Sequence, residues 1–335
     1  MEEKYFPVVT TIAWYGAIGR PLTLLEVCDF MIPPERFGLA GKPFDNAQGK
    51  PSPAETLDIL DRLVADNIVT SSCGFYSIAG EHDVVGSGHI AQELETAKKW
   101  RKFRKASRWL ALVPFVRLVA ASGSLAIGTS KPQSDWDVFV VAEKNRIFIT
   151  RTGLLFVAWL MRRLRTKRDN IAPDCFCFNH IVTTDGLSLV HKSIFTAHTA
   201  LRLIPVIDVG GYFRLLLQKN NWMDEYATKT APKKYVLRTI CPGFILWLTR
   251  NIIEFLLSSF FGDIIERLLM RWQVARIRKN PKTHSPGGRI VAHGKEIEFH
   301  PQSFEYIALG KYNAVLERLG MGKFLERDSG IFNPY

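Results

Sequence analysis

Residues 119–141 restrict what this chain can be more than any other stretch. They read Val-Ala-Ala-Ser-Gly-Ser-Leu-Ala-Ile-Gly-Thr-Ser-Lys-Pro-Gln-Ser-Asp-Trp-Asp-Val-Phe-Val-Val. A short apolar run ends at Gly123-Ser124, a polar turn follows, and Asp135 and Asp137 open a second apolar run. Alternate side chains of a strand share a face, so Asp135 and Asp137 point one way while Trp136 and Val138 point the other. Two converging carboxylates repel unless a cation lies between them, and hard divalent cations take such oxygens together with substrate phosphates. Gly123-Ser124 supplies backbone N–H groups with no Cβ in the way, and a hydroxyl, which suits a phosphate.

Gly-Ser, ten residues, then Asp-x-Asp inside a hydrophobic strand resembles the signature of the DNA polymerase beta-like nucleotidyltransferase superfamily. The resemblance implies transfer of a nucleoside monophosphate from a nucleoside triphosphate to an acceptor. Asp135 and Asp137 would hold the metal, Mg²⁺ or Mn²⁺, helped by a third acid on a neighbouring strand. Gly123, Ser124 and Lys131 would contact the phosphates. A narrower resemblance, to uncharacterised bacterial proteins built around such a domain, rests on several pieces. They include Gly74-Phe75-Tyr76, Lys99-Trp100, Pro114-Phe115-Val116-Arg117, Ser122-Gly-Ser-Leu-Ala126, Cys177-Phe178-Asn179, Pro205, Asn221-Trp222 and Phe299-His300-Pro301. The link after the hairpin is arginine-rich in that group, whereas here it reads Glu81-His82-Asp83.

At 335 residues, 47% hydrophobic and 23% charged, the chain has room for two or three globular domains and is not disordered by composition. Its net charge of +12 suits an anionic partner. Five scattered cysteines make no disulfide framework or zinc spacing, so a reducing cytoplasm is expected. The start Met-Glu-Glu-Lys lacks the basic flank and apolar core of a signal peptide. Arg238, Arg250, Glu254 and Asp263 interrupt the apolar stretch at 235–270, which therefore reads as a buried helical hairpin, with peripheral membrane contact the disfavoured alternative.

The expected fold class is α+β, in three regions: a winged-helix-like module over 1–85, an α/β nucleotidyltransferase sheet over 86–210, and a mainly helical region over 211–335. In the first, helices at 8–18, 23–31 and 52–65 and a hairpin around Gly74 follow from periodicity and caps. A glycine- and proline-rich loop at 41–51 separates the second and third helices. The third helix is acidic (Glu55, Asp58, Asp61), which disfavours DNA binding and favours a protein-facing or gating role. A long helix at 90–112 carries Lys98, Lys99, Arg101, Lys102, Arg104, Lys105 and Arg108 around an apolar stripe that includes Trp100 and Phe103. Its basic residues read as a solvated surface or as an electrostatic guide for an anion.

After the Asp-x-Asp strand, a helix from about 149 would put Arg151 near the aspartates, to meet a phosphate or to form a structural ion pair. The run at 174–182 reads as the third strand of the sheet. Asp174 is the first candidate for the third acid, with Asn179 a neutral substitute. Regular alternation would place Asp174, Phe176, Phe178 and His180 on one face and Cys175, Cys177 and Asn179 on the other. Helices at 244–257 and 262–277, a hairpin at 289–299 and a last helix to 319 complete the reading; His300 reads as structural. Two functions follow: an active transferase, or an inactive fold that serves as nucleotide sensor or nucleic-acid-binding regulator.

Overall fold

A computed structural model describes residues 2–33, 51–80, 87–165, 171–227, 239–284, 288–300, 304–322 and 324. The loop at 41–50, the 81–83 link, residues 167–170, Arg238, Gly287 and Pro301 lie outside the described residues. The chain opens with α1 (Phe6–Ala17), β1 (Leu22–Thr23), α2 (Leu24–Asp29), α3 (Pro53–Ala65) and the hairpin β2 (Val69–Ser72) and β3 (Phe75–Ile78). Thr23 and Ser52 cap α2 and α3: each hydroxyl accepts the N–H of the glutamate three residues on, whose carboxylate reaches back to the cap N–H. The two-residue β1, too short to show in the sequence pattern, pairs with β3 to give the order β1-β3-β2.

The long basic helix is α4 (Ser87–Ser107), which tightens into a 3₁₀ turn over Arg108–Leu112. Next come β4 (Val116–Ala121), α5 (Gly123–Ile127), β5 (Trp136–Ala142), α6 (Ile147–Leu160) and β6 (Phe176–Thr183). They are followed by α7 (Ile194–Leu201), β7 (Ile204–Asp208), α8 (Tyr212–Lys219), α9 (Phe244–Leu257) and α10 (Phe260–Arg278). The hairpin β8 (Arg289–Ala292) and β9 (Glu296–His300) and the helix α11 (Phe304–Arg318) finish the fold. One six-stranded sheet, ordered β7-β4-β5-β6-β9-β8, takes every strand after β3. Its β5–β6 pair is parallel, with α6 as the crossover. The sheet takes strands from both sides of residue 211, because β9 pairs with β6.

Each face of the sheet carries its own core. Phe139 and Val141 of β5 join α1, α7 and α11 on one side. Trp136, Val138, Val140 and Ala142 join α4 and α6 on the other. Strand alternation thus fixes the face on which each residue of the Asp-x-Asp segment can lie. The expected buried hairpin at 235–270 is corrected: α9 and α10 turn large apolar side chains such as Phe244, Phe255, Phe260 and Phe261 to the outside. Among the described residues, no single helix is long and apolar enough to cross a membrane.

Candidate active site

Trp136 sets the site's geometry. Its side chain is fully buried and packs edge-on against Phe103 and Phe176, at ring separations of 5.5 and 5.1 Å. With Trp136 held in that core, Asp137 must face the opposite side of the sheet, at the start of β5. Asp135 lies just ahead of the strand, and its carboxylate, that of Asp137 and the Cys177 sulfur all lie within 4.8 Å of one another.

Gly123 lies against Asp137. Its φ is +55°, and a Cβ there would overlap Asp137 Oδ2 and come within 3.0 Å of Asp137 Cγ, so both conformation and proximity require glycine. The Ser122 N–H donates to the Asp137 carbonyl at 2.9 Å, which ties the α5 turn to the start of β5. Ser124 follows on the short α5, with its Oγ 3.5 Å from Ser130 Oγ. Lys131 is exposed in the next loop.

The neighbouring strand brings Cys177 and Asn179 to Asp137. Cys177 is its register partner, and Asn179 Nδ2 donates to Asp137 Oδ1 at 3.0 Å. The register then shifts, since Asp137 pairs with Cys177 but Phe139 pairs with His180. The extra residue is a β-bulge. It corrects the expected alternation: His180 joins Cys177 and Asn179 on the site face, its ring 5.0 Å from that of Phe139.

Asp174 is not in this group. It lies before β6 at φ +57°, where Lys99 Nζ donates to its Oδ1 at 3.0 Å and Lys102 Nζ to its Oδ2 at 2.5 Å. Burial opposes ionisation, but these lysines win and hold its carboxyl below the usual range. Lys99 is itself buried, and its other two donors reach the carbonyls of Pro132 and Ser134 at 2.9 Å each. It therefore clamps the loop ahead of Asp135 to α4 and to the start of β6.

Arg151 is also placed elsewhere. The aspartates stand at the start of β5, whereas α6 begins beyond its other end. Arg151 Nη1 instead donates to Gln273 Oε1 of α10 at 2.6 Å, and burial, helped by Arg276, lowers its pKa to about 10. The chain returns to the site only after α6. There Arg165 pairs with Asp135, and Arg163 lies over the Trp136 ring at 5.7 Å. Arg165 stands fourteen positions beyond Arg151, and the length of the helix was the only signal that pointed to it.

A family profile described as a nucleotidyltransferase domain matches residues 100–184, the span that holds β4, α5, β5, α6 and β6. The chain carries a nucleotidyltransferase domain of the polymerase beta-like superfamily. Comparison with curated proteins and with solved structures gave no match.

In this nucleotidyltransferase domain the electrostatics at Asp137 favour a cation. Burial first, and then the Asp135 charge, push its pKa up against the pull of Arg165 and the Asn179 hydrogen bond. Burial and the same acids also push the Cys177 thiol up, so it stays protonated. Two carboxylates brought together in this way suit a divalent cation. Among the described residues no third carboxylate joins their group, whose third member is the Cys177 thiol. A second acidic group lies further along the same face, where His180, Glu296 and Glu298 converge. Its Glu298 is engaged by Arg289 and lies 3.5 Å from His300 Nε2; burial lowers the His300 pKa to about 4.

Proposed function

We propose that the chain is a metal-dependent nucleotidyltransferase that moves a nucleoside monophosphate from a nucleoside triphosphate to an acceptor. The observation that carries this reading is the convergence of Asp135 and Asp137, with Gly123 against Asp137, inside the matched domain. Asp135 and Asp137 would hold Mg²⁺ or Mn²⁺, which would supply positive charge against the triphosphate. Gly123, Ser124 and Lys131 hold phosphate oxygens. Asn179 orients Asp137 through the hydrogen bond to Oδ1 and stands where the resemblance calls for an acid. No disulfide joins the cysteines, which suits the cytoplasm.

The test is incubation with Mg²⁺ or Mn²⁺ and triphosphates labelled at the α-phosphate, in the presence of small-molecule, protein or RNA acceptors. Label should move to one acceptor and be lost in Asp137→Asn. Label that never moves, or that moves as well with Asp137→Asn, defeats the reading.

A second reading, a nucleotide sensor without turnover, is favoured by the engagement of Asp174 with Lys99 and Lys102. Calorimetry separates the two, since tight triphosphate binding without label transfer supports the sensor. We read α1, α2, α3 and the β2–β3 hairpin as a winged-helix-like module. Glu55, Asp58 and Asp61 on α3 are exposed, which suits a protein-facing or gating role better than DNA. Strong salt-dependent binding to duplex would reverse that assignment.

A further inference from the structure

Helices α9 and α10 bury polar groups and expose large apolar ones. On α9 the buried residue is Arg250, which pairs with Glu254 at 3.2 Å. Glu254 in turn takes Arg117 at 3.0 Å and the Phe115 N–H at 2.7 Å. On α10, buried Glu266 accepts the N–H groups of Phe148 and Ile149 at 2.9 and 2.8 Å, satisfying the start of α6. Buried Gln273 donates to the Phe148 carbonyl at 3.1 Å. The inward positions thus include the polar Arg250, Glu266 and Gln273, beside Ile277 and the part-buried Leu269, Met270 and Val274 of α10. The outward ones are apolar, with Phe244 71%, Phe255 80% and Phe261 72% exposed, the reverse of a helix that faces water.

The apolar face continues onto neighbouring elements. α6 packs on α10 and exposes Phe156, Trp159 and Leu160. The 3₁₀ turn at Arg108–Leu112 packs on α9 and exposes Trp109. Four of the chain's eight tryptophans, Trp109, Trp159, Trp247 and Trp272, are exposed on these elements. Tryptophan favours the headgroup level of a bilayer, where its ring is half apolar and half wet.

Charge selects the occupant. Arg267, Arg271 and Arg276 of α10 are exposed, as are Arg104, Lys105 and Arg108 leading into Trp109. The exposed acid Asp263 is paired with Arg146 at 2.7 Å. Two copies meeting through this face would set like-charged rims against each other, whereas an anionic bilayer offers hydrocarbon and opposite charge together. The α9–α10 pair bends by 88°, which suits helices lying along an interface. We propose that the surface formed by α6, α9 and α10 seats the protein on an anionic lipid bilayer, with its aromatic side chains at the headgroup boundary and its arginines on lipid phosphates.

Co-sedimentation of the full chain with vesicles of phosphatidylcholine, with and without phosphatidylglycerol, tests this. Binding should need the anionic lipid and weaken with salt. It should fall about tenfold in Trp247→Asp and in Phe255→Asp, about 1.4 kcal/mol each. Leu94→Asp, at an exposed apolar position on α4, should bind as the parent does. Arg267→Gln combined with Arg271→Gln should weaken anionic binding even if an aspartate variant fails to fold. The proposal is overturned if neither vesicle is bound, if binding ignores lipid charge, or if sedimentation velocity without lipid shows a dimer that Phe255→Asp dissolves.

Discussion

A methyl group at position 123 would meet the Asp137 carboxylate before anything else in the fold. It would also have to adopt φ +55°, which costs an L-residue about 1–2 kcal/mol. Gly123→Ala should therefore lower stability in urea unfolding by about 1–3 kcal/mol once the carboxylate is displaced as well. It should also abolish triphosphate binding, since Asp137 cannot keep both its Asn179 hydrogen bond and its place beside Asp135. Retained binding with an ordinary loss of stability would mean that the close approach does not organise the site. Asp137 itself predicts a pH effect. Burial and Asp135 raise its pKa, and a divalent cation must displace that proton. Metal affinity should thus rise with pH through the neutral range, and calorimetry in buffers of different ionisation enthalpy should detect the released proton.

Between elements, Lys99 does the joining. One buried ammonium meets Asp174 and two loop carbonyls, so Lys99→Met leaves a buried carboxylate and two carbonyls short of a donor. Lys102 still pairs with Asp174, so the loss should be about 1–3 kcal/mol, and Lys99→Met with Asp174→Leu should recover part of it because the carboxylate that lost a donor is then gone. Asp174→Asn separates anchor from ligand: stability should drop while metal and triphosphate affinity stay near the parent's, the opposite pattern to Asp137→Asn. Most helices and five of the six strands of the sheet (β4, β5, β6 and the β8–β9 hairpin), with the faces of Asp135 and Asp137, are readable from the sequence because period and capping residues are local. What was not readable was set by distance along the chain. Arg151 was placed near the aspartates because it begins a helix after their strand, yet a strand followed by its helix carries Arg151 to the far end and brings Arg165 back. Asp174 fitted the resemblance, but a bulge and a buried lysine some seventy-five residues upstream decide which side chains flank Asp137. The apolar stretch at 235–270 read as core because nothing local distinguishes a core helix from one that turns its apolar side outward.

At the scale of the molecule, a buried polar network joins the first helices to the later half of the chain. Arg20 and Arg202 both pair with Glu26, at 3.0 and 3.2 Å, and Arg202 Nε donates to the Tyr15 hydroxyl at 3.1 Å. His198 completes it. Its Nε2 must carry the proton to donate to the Tyr226 carbonyl at 3.2 Å, so its Nδ1 accepts from the Tyr15 hydroxyl at 3.0 Å. An imidazole satisfied in that tautomer, buried and beside Arg202, resists protonation, and its pKa falls from 6.5 to about 3. Between those values the unfolded chain holds a proton that the folded chain does not, so stability decreases as pH falls from 6.5 and the loss ends near 3. Glu26 adds to this lower down: burial works against its charge, but Arg202 and Arg20 hold it at about 2, so its contribution is lost as pH drops from about 4.5. His198 should therefore contribute about 2 kcal/mol to the difference in urea unfolding between pH 6.5 and pH 5, and the lowered His300 adds to it in the same direction. His198→Gln keeps an amide donor for the Tyr226 carbonyl but cannot titrate, so it should remove the His198 share of about 2 kcal/mol, whatever it does to stability at either pH, and leave the share of His300. An unchanged pH dependence in His198→Gln would assign the acid sensitivity to other groups and leave the joint between the two halves insensitive to pH above 4.5.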